Sequence, residues 1–170
     1  LIRLRESGGA AIVDLSNFGL KPDPEGLRSM SRASGVTIVQ GAGYYVDEYI
    51  PDEMKDKSAD RLTREIVDQV TAGCWGTDVR AGIIGEIGCS SPLHDDERKC
   101  LRAAARAQRQ TGATVFVHPG RAETAPLEIL DQQYVHYQTM YQVSSEQRRF
   151  IEGEDLSRLD VSFERMHRLM

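Results

Sequence analysis

Four times this chain runs from a polar, helix-compatible stretch through a glycine into a short apolar or β-branched run. Glu6-Ser7-Gly8-Gly9 leads into residues 10–15, and Arg32-Ala33-Ser34-Gly35 into residues 36–40. Arg80-Ala81-Gly82 leads into residues 83–87, and Gln110-Thr111-Gly112 into residues 113–118. A glycine after a helical stretch is a stop signal, because it tolerates the left-handed turn that ends a helix. Continuous apolar runs of this length suit strands buried on both faces, as in parallel sheets. The stretches between them carry helix signals. Pro24-Glu25 opens a segment through Ser34 with Asp23 as its N-cap. From Ser58 onward, Ala59, Leu62, Ile66, Val67 and Val70 fall at helical spacing. Residues 95–110 are rich in alanine and arginine, both strong helix formers. Strand alternating with helix predicts an α/β fold with parallel strands.

In such folds ligands sit beyond the C-terminal ends of the strands, and the chemistry-bearing residues lie on that side here. Glu86 ends the run Ile83-Ile84-Gly85, and His118 ends the run Val115-Phe116-Val117. They are 118 − 86 = 32 residues apart, close to one unit of a barrel in which roughly 250 residues make eight strand-helix units. A carboxylate and an imidazole at successive strand ends project into one mouth, and both donate to metals such as zinc. The loop from Gly41 to Pro51, with Tyr44, Tyr45 and Tyr49, is long, aromatic and glycine-hinged. Cys89-Ser90-Ser91-Pro92 and Pro119-Gly120-Arg121 are tight and polar. Asp14 stands on the same side with no motif around it, and His94, beside Asp95 and Asp96, reads as local helix capping.

At 170 residues and 19.0 kDa the chain can bury a sizeable single core. Lys+Arg 21 against Asp+Glu 26 gives a net charge of −5 without a basic block, which argues against a nucleic-acid partner. Mean hydropathy is −0.42, and no apolar run approaches the roughly 20 residues that cross a bilayer, so no membrane role is expected. No basic-then-apolar leader is visible. Cys74, Cys89 and Cys100 lack a C-x-x-C spacing and read as buried thiols of a reducing compartment. A cytoplasmic location is the expectation. The opening, residues 1–9, reads as the last turns of a helix with a glycine stop, which implies further sequence upstream.

Taken together, Gly41–Asp47, Gly76-Thr77-Asp78-Val79-Arg80-Ala81-Gly82 running on through Ile83-Ile84-Gly85-Glu86-Ile87-Gly88-Cys89-Ser90, and Val117-His118-Pro119-Gly120-Arg121 resemble the phosphotriesterase-related branch of the amidohydrolase superfamily. The resemblance runs from about Leu1 to Leu130. It implies a TIM-type (β/α) barrel, present here in part. It also implies a two-metal centre, zinc or another divalent pair, that activates a bridging water for hydrolysis. By the same resemblance Glu86 matches the bridging metal ligand, where phosphotriesterases proper carry a carbamylated lysine, and His118 matches a histidine ligand on the next strand. Tyr44 and Tyr45 stand where related lactone and ester hydrolases place aromatic substrate contacts; packing on the barrel rim is the other reading. Arg121 could grip an anionic substrate group with its planar fork, or be an ordinary surface arginine at a helix start.

The family pattern also asks for a His-x-His pair on the first strand, a histidine on the sixth and an aspartate on the eighth. The histidines here are 94, 118, 136 and 167, with no His-x-His among them. Residues 1–131 are therefore expected to form a partial metallohydrolase barrel that lacks its first strand and part of its C-terminal half. Residues 132–170 are expected to be a divergent segment of the same domain. Within them Val135-His136-Tyr137-Gln138 and residues 167–170 resemble later family stretches, residues 145–152 read as a capped helix, and Val161-Ser162-Phe163-Glu164 occupies the place of the missing aspartate. Glu164 is one carbon longer than the acid expected there and is not assigned. The leading expectation is a zinc hydrolase of a small-molecule ester, lactone, phosphoester or N-acyl amide, with homo-oligomerisation left open. The alternatives are a catalytically inactive remnant acting through contacts, and a metal-free α/β enzyme using Asp14 or His118 as acid-base groups.

Overall fold

The computed structural model describes residues 1–131 together with 142, 143, 146, 147, 158, 161, 164 and 165. Contacts divide the chain into two compact units, Leu1–Ala125 and Pro126–Met170. The first unit holds the sheet. In chain order it runs α1 (Ile2–Glu6), β1 (Ala11–Asp14), α2 (Pro24–Ser34), β2 (Thr37–Ala42), a 3-10 turn (Asp47–Tyr49), α3 (Asp52–Lys55), α4 (Ala59–Thr71), β3 (Ile83–Gly88), α5 (Asp95–Thr111) and β4 (Val115–His118). All four expected strands form, and they pair in parallel in the order β1-β2-β3-β4. Sequential parallel strands with helices between them make a curled half-barrel, the partial (β/α) barrel that the repeat predicts.

The local signals act as expected. Asp23 Oδ1 accepts from Gly26 N–H at 2.9 Å at the start of α2, and Ser58 Oγ accepts from Arg61 N–H at 3.2 Å at the start of α4. Helices α2 and α5 stop at Gly35 and Gly112. Helix α1 ends where Gly8 N–H and Gly9 N–H reach back to the carbonyls of Arg5 and Leu4.

The core lies between β2–β3 and the helices α4 and α5. Ile84 and Ile87 of β3, Leu62 and Ile66 of α4, and Cys100, Ala103, Ala104 and Ala107 of α5 are all buried in one cluster. The small face of α5 recurs at helical spacing and lets it lie close on α4 and β3. Each buried isoleucine or leucine stabilises the fold by roughly 1.5–3 kcal/mol.

One expectation fails. The apolar runs suggested strands buried on both faces, and only β3 comes near that. In β1, Ile12 is 43% and Val13 50% exposed, and in β4 Phe116 is 46% exposed. The reason is position: β1 and β4 are the outer strands of the four, whereas β3 is flanked on both sides and covered by α4 and α5.

In the second unit Val161, Glu164 and Arg165 are helical and exposed, and Arg165 pairs with Glu146 at 3.3 Å. Glu164 therefore does not end a strand. Residues 135–138 and 167–170 lie outside the described residues, as does most of the helix expected over 145–152, of which Glu146 and Gln147 are described and helical. Among the described residues, no helix is long and apolar enough to cross a membrane.

Candidate active site at the strand ends

Glu86 and His118 meet. Glu86 Oε2 lies 3.0 Å from His118 Nδ1, with the carboxylate side chain 19% and the imidazole 42% exposed. The meeting depends on an irregularity in the sheet. Ile84 pairs with Val115 but Ile87 with Val117, so β3 spends one more residue than β4 over the same length. Such a bulge bends a strand and re-aims a side chain, and Glu86 sits within it. Gly85 makes it possible: its φ is +141°, and a Cβ there would lie 2.4 Å from the Phe116 carbonyl oxygen. In the Nδ1–H tautomer this nitrogen donates to the carboxylate; in the Nε2–H tautomer its lone pair and the carboxylate oxygen face one cation.

The aromatic pair splits. Tyr44 is buried in the core and donates its hydroxyl to Glu65 Oε2 at 2.7 Å, so packing is its role. Tyr45 faces the pair instead. Its ring stands edge-on to the His118 ring with centroids 5.5 Å apart, and it leans on Tyr49 at 5.7 Å. Burial first, then the Glu86 carboxylate, pushes the Tyr45 phenol above its ordinary value; Arg121 opposes that rise. A phenol so shifted stays protonated at neutral pH and is available as a donor. Arg121 is thus close enough to be felt by Tyr45, and its side chain is exposed.

Two other candidates are placed elsewhere. Asp14 Oδ1 accepts from Ser16 N–H at 2.9 Å, a local turn after β1. His94 is the N-cap residue of α5, and its Nδ1 lies 3.3 Å from Asp47 Oδ2.

A residue that sequence reasoning passed over supports the site from below. Asn17 is fully buried in the loop after β1, and its Nδ2 donates to the Glu86 backbone carbonyl at 2.5 Å. No motif marks it. Only the closeness of the β1 and β3 ends in space, across 69 positions of sequence, brings the two together.

A carboxylate oxygen and an imidazole nitrogen are the donor types a zinc-like cation takes, and their separation matches neighbouring ligands on one ion. Glu86 and His118 therefore fit a divalent metal as two of its ligands. Among the described residues, no group of three or more His, Cys, Asp or Glu gathers in one place.

Comparison with known proteins follows the same lines. A model of the Phosphotriesterase family matches residues 1–140. A phosphotriesterase-related protein of Nematostella vectensis is 44% identical over 126 residues, which is 74% of this chain and 36% of that protein. The N-acetyltaurine hydrolase of Bos taurus is 43% identical over 130 residues, 76% of this chain and 37% of the relative. Among solved structures, a resiniferatoxin-binding protein from Rhodobacter sphaeroides superposes with a TM-score of 0.73 at 43% identity, covering 76% of this chain and 36% of that one. The phosphotriesterase homology protein from Escherichia coli, complexed with phosphate in its active site, gives 0.72 at 30% identity, covering 76% and 45%. The chain spans little more than a third of the length of the curated relatives it matches.

Proposed function

The chain belongs to the phosphotriesterase family, and on that premise we propose that it carries part of the site of a metal-dependent hydrolase. Glu86 and His118 are two ligands of a divalent metal centre, zinc in the first instance, with further ligands supplied from outside the described residues. The observation that carries this reading is the 3.0 Å approach of Glu86 Oε2 to His118 Nδ1 at the ends of neighbouring parallel strands. When bound, a divalent pair polarises a carbonyl or phosphoryl oxygen and lowers the pKa of water toward neutrality.

The chain's own residues supply position and polarity. Asn17 fixes the Glu86 peptide from the β1 side. Tyr45 walls one side of the pair and keeps a phenolic proton for a substrate oxygen. Arg121 offers a bidentate cation to an anionic substrate group. The substrate class that suits this set is a small N-acyl amide with an anionic tail, the class suggested by the relatives named N-acetyltaurine hydrolase. Esters, lactones and phosphoesters use the same metal chemistry and are the comparison substrates. The buried thiols Cys74, Cys89 and Cys100 suit a reducing compartment, in support of a cytoplasmic location.

Metal analysis and turnover test the proposal together. A protein that joins this chain to the remaining ligands should contain zinc or a similar divalent ion, hydrolyse N-acetyltaurine, lose turnover on chelation and regain it with zinc, whereas residues 1–170 by themselves should turn over little or not at all. Turnover unchanged after exhaustive chelation would overturn it.

A further inference from the structure

Behind the candidate site lies a second carboxylate that the proposed chemistry does not use. Glu97, in the first turn of α5, is 0% exposed. Its Oε1 accepts from Asp47 N–H at 3.0 Å and from the Ser90 hydroxyl at 2.7 Å. Its Oε2 accepts from Ser90 N–H at 2.9 Å and from His94 N–H at 3.0 Å. Two donors on each oxygen fill the acceptor capacity of an ionised carboxylate, and all four partners donate. A glutamine in the same place would present an amide nitrogen, which cannot accept, to two of them. Glu97 stands in the first turn of the 17-residue α5 and accepts from the backbone of the N-cap residue His94.

These four donors belong to different loops. Asp47 follows Tyr45 in the loop after β2, and Ser90 follows Glu86 in the loop after β3. The loop after β2 also meets the end of β3, where Gly88 N–H reaches the Tyr44 carbonyl at 3.3 Å. A Cβ at Gly88 would come within 2.3 Å of Val46 N and 2.6 Å of the Tyr45 carbonyl carbon.

We infer that Glu97 is a positioning residue that locks the loop after β2 onto the loop after β3 and so holds the Tyr45 ring against His118. Its four hydrogen bonds go to Asp47, Ser90 and His94 and to neither ring. Its effect passes through the Asp47 and Ser90 backbones. The orientation is a property of this chain alone. Its consequence for substrate rests on the hydrolase reading, in which Tyr45 borders the substrate.

The test reads the orientation without activity. The ring protons of His118, assigned by their loss in His118→Gln, carry a ring-current shift from Tyr45 in proton NMR, and Tyr45→Leu defines the position without it. Glu97→Gln is expected to move the His118 resonances most of the way to the Tyr45→Leu position and to add no further movement in the Tyr45→Leu background. Ser90→Ala, which removes one donor and spares the carboxylate, is expected to move them the same way by less. If Glu97→Gln fails to fold, Ser90→Ala decides. His118 resonances unmoved in a folded Glu97→Gln or Ser90→Ala protein overturn the inference. In turnover, Glu97→Gln should raise KM roughly tenfold while kcat stays within about a factor of two. The NMR shift together with no hydrolysis by a protein that supplies the remaining ligands supports the positioning role and rejects the hydrolase reading.

Discussion

Glu86 and Glu97 sit at the same end of the sheet and have opposite situations. Glu97 is sealed from water with all its acceptor sites filled by four donors. Glu86 is partly exposed, and among the described residues its carboxylate meets only the His118 ring. A satisfied buried anion is a structural tie. An anion with spare acceptor capacity beside an imidazole can take a cation. The difference separates the partly exposed edge of the candidate site from the buried tie behind it.

Substitution should break the two apart. Glu86→Ala is expected to lower kcat/KM by more than roughly a hundredfold, beyond the 10–100-fold typical of residues that only orient ligands. Its unfolding free energy should change by less than about 1 kcal/mol, since its carboxylate makes one side-chain hydrogen bond, to His118, against the four that Glu97 accepts. Glu97→Ala should do the reverse in stability. Stranding buried N–H groups costs about 1–3 kcal/mol each, so a loss of roughly 3 kcal/mol is expected in denaturant unfolding. A stable Glu97→Ala protein, or an unstable Glu86→Ala protein, would erase the distinction.

The same contrast extends to the strands beneath. Ile84 is 0% exposed at the centre and Ile12 is 43% exposed on the outer strand β1. Ile84→Ala should cost roughly 2–5 kcal/mol and Ile12→Ala less than about 1 kcal/mol in the same unfolding experiment. Equal losses would mean that β1 is covered in solution.

Away from the site, pH separates charges that are tied from charges that are free. Burial pushes the Glu65 carboxyl up, but hydrogen bonds from Lys57, Tyr44 and Arg61 outweigh it, and the net shift is downward. A depressed folded value means the unfolded chain binds the proton first. The stability from this group is therefore complete above the ordinary carboxylate range, about pH 4.3, and fades as pH falls through the lower folded value. Glu65→Gln should flatten the acid limb of a stability–pH curve; an unchanged limb would remove Glu65 from the account. The smallest effect concerns the thiols. Burial raises Cys74 to about 11 and Cys100 to about 12, so neither forms thiolate near neutrality. Alkylation of the native protein at pH 8 should be slow at both and become fast on unfolding.

Much of the frame was legible residue by residue. Strand positions followed from short apolar runs, and helix starts from Asp23 and Ser58, because caps and periodicity act over a few residues. Glu86 and His118 could be paired because a repeating unit places equivalent positions at equivalent strand ends. Tyr44 and Tyr45 could not be told apart: adjacent residues of one type differ only in which way the loop turns them. Asn17 left no local signal, since its partner lies on another strand, and Glu97 could show only its capping place three residues after His94, not its tie to Asp47. The exposure of Ile12 and Val13 left no local signal either, because it depends on what lies beside and above a strand.

Sequence alone thus determined the alternation of helix and strand, the parallel sheet and the placing of Glu86 and His118 at neighbouring strand ends, all consequences of local chemistry and spacing. The tertiary structure decided which tyrosine faces the pair, where the bulge turns Glu86 toward His118, and that Glu97 binds two loops together. Those outcomes rest on contacts between residues far apart in the chain, where only packing and the need to satisfy buried hydrogen-bonding groups select one arrangement.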